Sequence, residues 1–403
     1  MKLDVLLVGG GMISQEVILP ALFGQRRLGK IGRIIVATRR GRTIRKLEEL
    51  FGREEIVGLP NPEEVGPDES YPESYKEGLK MLGRCGAVIV ATPDHLHTKI
   101  ILDAIEAGYD CIVEKPLCLK TEEAYRIIEA CEGRGRYVYT DYHKRHDLAL
   151  RACQYKYRRG LMGKALCSYA WIEERREMPL KNFSLWAEQS SSFEYIGCHY
   201  VDMFYFITGE LPVKVVGFGQ KKLLRELGKE CYDAVQAIIE WESGAVQYVQ
   251  TSWVLPDSNP NLTNQGFQLT CTEGEFRADN ADRNSNFVTS CGGYERYNPY
   301  FCKAYLDWDE PERDEWLGYG IESIVQPIND ILRIYEQTEG LSDRESLVKR
   351  RELLKDFGKM RALPRQALVA TAVSEAVKMS LENGGAIVRF DEGLMPVLQG
   401  GQN

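Results

Sequence analysis

The sequence predicts an α/β protein of two domains: a doubly wound parallel sheet over residues 1–145, then an α+β domain with a mostly antiparallel open sheet over residues 146–403. Two observations carry this. The first 145 residues alternate short β-branched runs with helical patterns, the rhythm of β-α-β units. Beyond about residue 147 longer alternating runs appear, separated by glycine-containing turns, as in strands joined by hairpins. A chain of 403 residues is long enough for two or three domains at about 150 residues each.

In order, the predicted strands of the first domain are residues 3–8, 33–38, 87–91, 111–114 and 137–139. Helical spacing is expected at 43–51 and 121–131, where Thr121 suits an N-cap and Glu122 and Glu123 complement the first turn. In the second domain a helix over 148–159 precedes strands at 165–174, 213–218, 234–240, 245–253 and 267–272. Glu242-Ser243-Gly244 and Thr272-Glu273-Gly274 read as hairpin turns, and helices are expected at 196–207 and 322–336. Residues 279–300, rich in Asn, Asp, Gly and Tyr, read as an irregular insertion, and the charged segment 343–361 as a solvated helix.

A net charge of −8, with Lys and Arg spread along the chain, argues against a nucleic-acid surface and for small-molecule or protein partners. The apolar run before the first glycines is too short for a secretory signal or a membrane span, and no later segment offers about 20 apolar residues. Eleven cysteines without a CxxC pair suit reduced thiols and a cytoplasmic location. His95 with His97, and His143 with His146, lack a third ligand nearby, so no metal is expected.

Gly9-Gly10-Gly11-Met12-Ile13-Ser14 follows the first strand and opens a helical pattern. A dinucleotide fold needs a tight turn there, with the backbone of Gly9, Gly11, Met12 and Ile13 close to a pyrophosphate, although Ser14 replaces the last glycine of GxGxxG. At the end of the second strand NAD sites usually carry an acidic residue for the ribose hydroxyls; here the run is Thr38-Arg39-Arg40. Two guanidiniums and no carboxylate suit a 2′-phosphate, so NADP is expected, with NAD the alternative. An ordinary solvated turn is the plainer reading.

Glu114-Lys115-Pro116 closes a buried-looking strand at the edge where such sheets bind ligands. A lysine held near a nicotinamide would polarise a substrate oxygen, with Glu114 stabilising its charge and Pro116 fixing the turn; a surface lysine in a loop is the alternative. Taken together, Ala91-Thr92-Pro93-Asp94-His95-Leu96-His97, Ala107-Gly108 and Glu114-Lys115-Pro116 resemble the Gfo/Idh/MocA oxidoreductase family. The likeness continues in residues 159–163, in Gly197-Cys198-His199-Tyr200-Val201-Asp202, and in Val373-Ser374-Glu375-Ala376 with Ser380 and Gly384-Gly385. The resemblance implies an NAD(P)-binding Rossmann domain, an open α/β domain that often makes homo-oligomer contacts, and a sugar, cyclitol or similar polyol as substrate. It also implies that Lys115 is the catalytic lysine, His199 the proton-transfer histidine, and Thr92, Pro93, His97 and Glu114 part of the cofactor surroundings.

The chain departs from that pattern where many relatives carry an aspartate four residues before the histidine: Tyr195 stands there, beside Glu194 and after Ser190-Ser191-Ser192. Tyr195 is therefore a candidate to donate a proton or to orient His199, and Asp202 reads as structural, capping or pairing with a basic residue of the first domain. Tyr142, Lys144, Arg145, Trp171, Arg175, Arg176 and Trp186 are candidates for substrate recognition, since aromatic faces suit sugar C–H surfaces and guanidiniums suit hydroxyls or a carboxylate. Three functions compete. The leading one is an NAD(P)-dependent oxidoreductase acting on a CH–OH group. The others are a redox-neutral enzyme that keeps NAD bound while cleaving a glycosidic bond, and a non-catalytic NADP-binding regulator.

Overall fold

Buried aliphatic runs set the first sheet. The computed structural model describes residues 1–281 and 283–399, and these fall into two compact units. The first gathers residues 1–117, 125–143 and 301–366; the second holds 118–124, 144–300 and 367 onward. A linear division at residue 145 leaves 301–366 with the second domain, whereas in space they pack with the first unit.

The chain begins β1 (Leu3–Val8), α1 (Leu19–Arg27), β2 (Ile31–Ala37), α2 (Gly41–Phe51), β3 (Val57–Leu59), α3 (Ser74–Met81), β4 (Gly86–Val90), α4 (His97–Glu106), β5 (Asp110–Glu114), α5 (Thr121–Arg134) and β6 (Val138–Asp141). The six strands pair in the order β3-β2-β1-β4-β5-β6, all parallel. Every residue of β4, β5 and β6 is buried, as expected of a parallel sheet covered on both faces. The order reverses between β1 and β4, so the C-terminal ends of those strands open the crevice where such sheets take ligands. β3 escapes the sequence pattern because it is three residues long with Gly58 at its centre, too short to alternate.

The second unit starts with α6 (Leu148–Arg158), β7 (Ala165–Arg175), α7 (Cys198–Thr208), β8 (Pro212–Gln220), the short α8 (Leu223–Glu226), β9 (Ala234–Trp241), β10 (Val246–Leu255), β11 (Thr263–Cys271) and β12 (Gly274–Asp279). The stretch expected to be irregular, 279–300, contains a hairpin of β13 (Asn286–Thr289) and β14 (Gly293–Arg296). Both strands are largely exposed, which left the alternation no apolar face to reveal it. The chain then returns to the first unit as β15 (Lys303–Leu306), β16 (Asp314–Leu317), α9 (Tyr319–Thr338) and α10 (Asp343–Phe357), and continues into α11 (Pro364–Glu382), β17 (Val388–Phe390) and β18 (Pro396–Leu398). The second sheet runs β12-β11-β7-β10-β9-β8-β17-β18; β7 and β10 are parallel and the other pairs antiparallel. α7 is buried along nearly its whole length and ends on Gly209 in the left-handed conformation (φ +81°).

α10 is the helix the charge pattern foretold, opened by a capping box of Ser342 and Glu345. It is more than a solvated helix. Leu353 and Phe357 join the core of the first unit, and Arg350 bonds Asp110 at 2.5 Å and the Gly135 carbonyl at 2.7 Å while buried.

Candidate active site

The first unit shapes a cradle at the ends of β1, β2, β4 and β5. Gly9 leaves β1 at φ +115°, and a Cβ there would lie 2.1 Å from the Ala91 carbonyl oxygen. Only glycine fits, because the turn passes between neighbouring strand ends: Gly9 N donates to Ala37 O and Ala91 N to Val8 O, each at 2.8 Å. A Cβ on Gly11, by contrast, would meet nothing within 4 Å, so the far side of the turn is open. Ser14, the departure from the glycine pattern, is fully buried and donates to Gly9 O at 3.1 Å, while Gln15 donates to Gly10 O at 2.7 Å. The serine locks the turn from behind. Met12 and Ile13 begin the helix that follows, a π-helical turn over Ser14–Ile18 leading into α1.

Past β2, Thr38 is buried and its hydroxyl donates to Arg40 O at 2.9 Å. Arg39 is exposed and donates through Nε to Ser70 Oγ at 2.8 Å. Arg40 is half-buried, and its Nε is enclosed without a hydrogen-bond partner among the described residues. An open glycine turn before a helix, with no carboxylate in the run Thr38-Arg39-Arg40 past β2, fits an anionic dinucleotide, whose pyrophosphate such a turn would receive.

Past β4, His97 is fully buried; its Nδ1 lies 2.8 Å from Pro116 O and its Nε2 2.9 Å from Thr92 O. It thereby ties the Thr92-Pro93 loop to the Lys115-Pro116 loop, whose peptide bond is cis. The expected cofactor residue is thus a brace between two loops rather than a surface group.

Glu114 and Lys115, at the end of β5, are both buried, and the strand register sets Glu114 opposite Asp141, the last residue of β6. Burial, then the neighbouring Asp141 charge, hold the Glu114 carboxyl well above the carboxylate range, with Lys115 opposing. Burial pushes Asp141 up to about 7, against the bonds it shares with Ser323 of α9 and with Glu114 and against the Lys115 charge. Asp141 was not among the residues expected from sequence. Its one signal was an aspartate closing the otherwise apolar run Val138-Tyr139-Thr140.

In the second unit His199 is buried in the first turn of α7. Tyr195 lies in the preceding π-helical turn Phe193–Gly197, its ring edge-on to Phe183 (4.7 Å between centroids) and Trp186 (5.5 Å), with Trp253 at 6.3 Å. The substitution of tyrosine for aspartate is therefore absorbed by an aromatic cluster to which Trp186, tilted on Phe183 at 4.6 Å, also belongs. The serine run has its own work: Ser192 Oγ and Thr251 Oγ1 share a bond at 2.8 Å, and Ser191 Oγ accepts from Glu194 N at 3.2 Å.

Several expected substrate residues sit in packing. Arg145 makes two bonds to Asp202, at 2.6 and 2.8 Å, with both side chains buried, so the partner of Asp202 lies in its own unit and Arg145 is already committed. Lys144, buried, bonds Gln265 and lies over the Tyr200 ring at 5.2 Å, and Tyr142 in the first unit is fully buried. Arg175 donates to the Asn259 and Asn261 carbonyls at 2.6 and 3.1 Å. Arg176 is half-exposed beside Asp257 at 3.8 Å. Trp171 stacks on Tyr169 (5.2 Å) and lines an open depression of about 370 Å³ with Glu173, Asn259, Asn264 and Asp279.

Residues 3–142 match the family model described as an oxidoreductase family with an NAD-binding Rossmann fold, and residues 157–277 match the GFO/IDH/MocA C-terminal domain. The chain belongs to the Gfo/Idh/MocA oxidoreductase family. Among curated relatives, it is 28% identical over 214 residues to scyllo-inositol 2-dehydrogenase (NAD(+)) of Bacillus subtilis, covering 52% of this chain and 59% of the relative. It is 25% identical over 169 residues to 2,7-anhydro-N-acetylneuraminate hydratase of Mediterraneibacter gnavus, covering 39% and 45%. The chain thus spans about half the length of these curated relatives. The fold matches that of scyllo-inositol dehydrogenase from Lactobacillus casei with bound cofactor NAD(H) and scyllo-inositol, at TM-score 0.65 and 14% identity over 96% of this chain and 99% of that one. The two sheets are those of the Gfo/Idh/MocA fold: a six-stranded parallel Rossmann sheet and a separate, mostly antiparallel one.

Proposed function

We propose that this Gfo/Idh/MocA protein is an NAD(P)-dependent oxidoreductase acting on a CH–OH carbon of a sugar, cyclitol or similar polyol. The observation that carries the reading is Lys115, buried at the C-terminal end of β5 in the same sheet whose β1 exit is an open glycine turn. When bound, the nicotinamide supplies the hydride acceptor or donor. The backbone of Gly11, Met12 and Ile13 holds the pyrophosphate, and Thr92 and Pro93 line the cofactor with their loop braced by His97. Lys115 Nζ donates to the substrate oxygen and stabilises the charge that grows on it as the carbon changes oxidation state. His199 moves the proton, with Tyr195 as the second candidate. Substrate recognition falls to Trp171, Arg176 and Trp186, which are partly exposed, whereas Arg175, equally accessible, is held by the Asn259 and Asn261 carbonyls.

The finer cofactor reading is NADP. Thr38 leaves no carboxylate to repel a 2′-phosphate, and the half-buried Arg40 guanidinium makes no side-chain hydrogen bond among the described residues. A cytoplasmic setting is supported by eleven free cysteines, and a homo-oligomer by the outward residues Tyr169, Phe218, Ile238 and Val246 of the second sheet. No helix among the described residues is long and apolar enough to cross a membrane.

Lys115→Met tests the reading, because it removes the charge and keeps the length. It should lower turnover by at least about two orders of magnitude with little change in dinucleotide affinity. Near-normal turnover would sink the assignment. A redox-neutral reaction is the second reading, favoured by the hydratase relative and by Tyr195 in the aspartate position. Steady product formation without net change in nicotinamide absorbance would select it.

A further inference from the structure

Two carboxyl groups side by side in a protein interior are costly when both are ionised, because burial and mutual repulsion both oppose the second charge. Glu114 and Asp141 are such a pair. They are register partners at the ends of adjacent parallel strands, only 7% and 1% exposed, and each keeps an oxygen (Glu114 Oε1, Asp141 Oδ1) enclosed without a hydrogen-bond donor. Ionised carboxylates are acceptors only, so nothing they offer each other satisfies those oxygens; a carboxylic acid beside a carboxylate does, through one O–H···O bond.

The surrounding charges favour retaining a single negative charge. Lys115 follows Glu114 directly and acts on both acids. From α9 the group that reaches Asp141 is the uncharged Ser323, while Asp330 of the same helix is occupied by Arg361 and Tyr137, and Glu322 is exposed. From α4, His97 engages two carbonyls instead, and β4 carries no ionisable residue. One cation and two acids therefore balance best with one proton between the acids.

We propose that Glu114 and Asp141 share a single proton at neutral pH, and that the resulting charge of minus one holds the Lys115 side chain in place, making Asp141 a positioning residue for the lysine. This rests on the reading of Lys115 as the group that polarises the substrate oxygen. Below the titration of the pair the charge that the two acids present to the lysine is lost; above it, a second carboxylate draws the ammonium towards the sheet and away from substrate. Turnover should follow the charge of the pair.

The test combines infrared spectra with the pH dependence of turnover. Wild type at neutral pH should show a protonated-carboxyl C=O stretch that bleaches as pH rises from about 5 to about 9. Asp141→Asn and Glu114→Gln should each remove that band, since either fixes the charge at minus one without a proton. Asp141→Asn should keep turnover at neutral pH within about fivefold of wild type while losing one inflection of its pH profile. Lys115→Met should keep the band and move its bleaching to higher pH, because the lysine favours ionisation of both acids. A neutral-pH spectrum unchanged by both acid variants, or a pH profile with the same inflections in wild type and Asp141→Asn, would overturn the proposal. Its failure is separable from failure of the catalytic reading: normal turnover in Lys115→Met discards the role of the lysine whatever the band does, whereas a missing band discards the shared proton whatever turnover does.

Discussion

Arg145 and Asp202 show how residue identity and role come apart. Next to Lys144 after the last strand of the first sheet, Arg145 had the chemistry to bind a substrate, and only the fold reveals that its guanidinium is buried on Asp202 and lies over the Phe206 ring at 4.9 Å. Removing one partner leaves a buried charge uncompensated, so Asp202→Ala should destabilise the protein by about 3 to 5 kcal/mol. Replacing both, as in Arg145→Met with Asp202→Leu, should recover much of that loss, and chemical denaturation of the single and double variants measures the difference. If the two single losses simply add in the double variant, the pair is not coupled. Lys115, His199 and Tyr195 were named from motif position, since short sequence spacings carry them. Asp141 was not: its significance lies in pairing with Glu114 across 27 positions of sequence, and register between parallel strands is invisible until the sheet order is known.

At the scale of elements, the glycine turn separates two demands that the run Gly9-Gly10-Gly11 conceals. Gly9 is required by the fold, with φ +115° and the Ala91 carbonyl 2.1 Å from any Cβ, so Gly9→Ala should cost about 1 to 3 kcal/mol in backbone strain alone. Gly11 is under no such constraint. Gly11→Ala should hold stability within about 0.5 kcal/mol yet weaken dinucleotide binding, because the new methyl stands where the pyrophosphate would approach. Thermal unfolding paired with nucleotide titration checks both, and undiminished binding in Gly11→Ala would remove the turn from the cofactor site. Most elements of the two sheets were readable because buried strands must be apolar or alternate. Among those missed were β3, β17 and β18, at three residues each too short to alternate, and the exposed hairpin β13–β14, which has no buried face. The packed face of α10 was hidden by its charge: Leu353 and Phe357 are too few to outweigh the Lys, Arg and Glu around them.

For the whole molecule, the buried acids tie stability to pH. Glu114 and Asp141 both have folded-state affinities for protons above the unfolded ones, so their contribution is fully present below the ordinary carboxyl range and is lost as pH rises through the folded value, about 7 for Asp141. Asp141→Asn lacks that loss and should gain melting temperature relative to wild type as pH is raised from about 4 to about 8; a gap that stays constant with pH would contradict the assignment. Ligand linkage supplies the remaining measurement, since a dinucleotide that binds only the folded chain raises stability in proportion to the logarithm of its concentration over its dissociation constant. At the end of β2 a 2′-phosphate would meet Thr38 and two guanidiniums, of which Arg39 is already bonded to Ser70 while Arg40 makes no side-chain hydrogen bond among the described residues. A charge-assisted bond there contributes about 1.5 to 3 kcal/mol. That corresponds to roughly ten- to a hundredfold in affinity, at about 1.4 kcal/mol per factor of ten. NADP should therefore raise the melting temperature more than NAD at equal concentration. Arg40→Ala should abolish most of the difference, and Arg39→Ala should reduce it less, because that side chain must first leave Ser70. Equal shifts with NAD and NADP in the wild-type protein would assign both arginines to solvent and return the site to NAD.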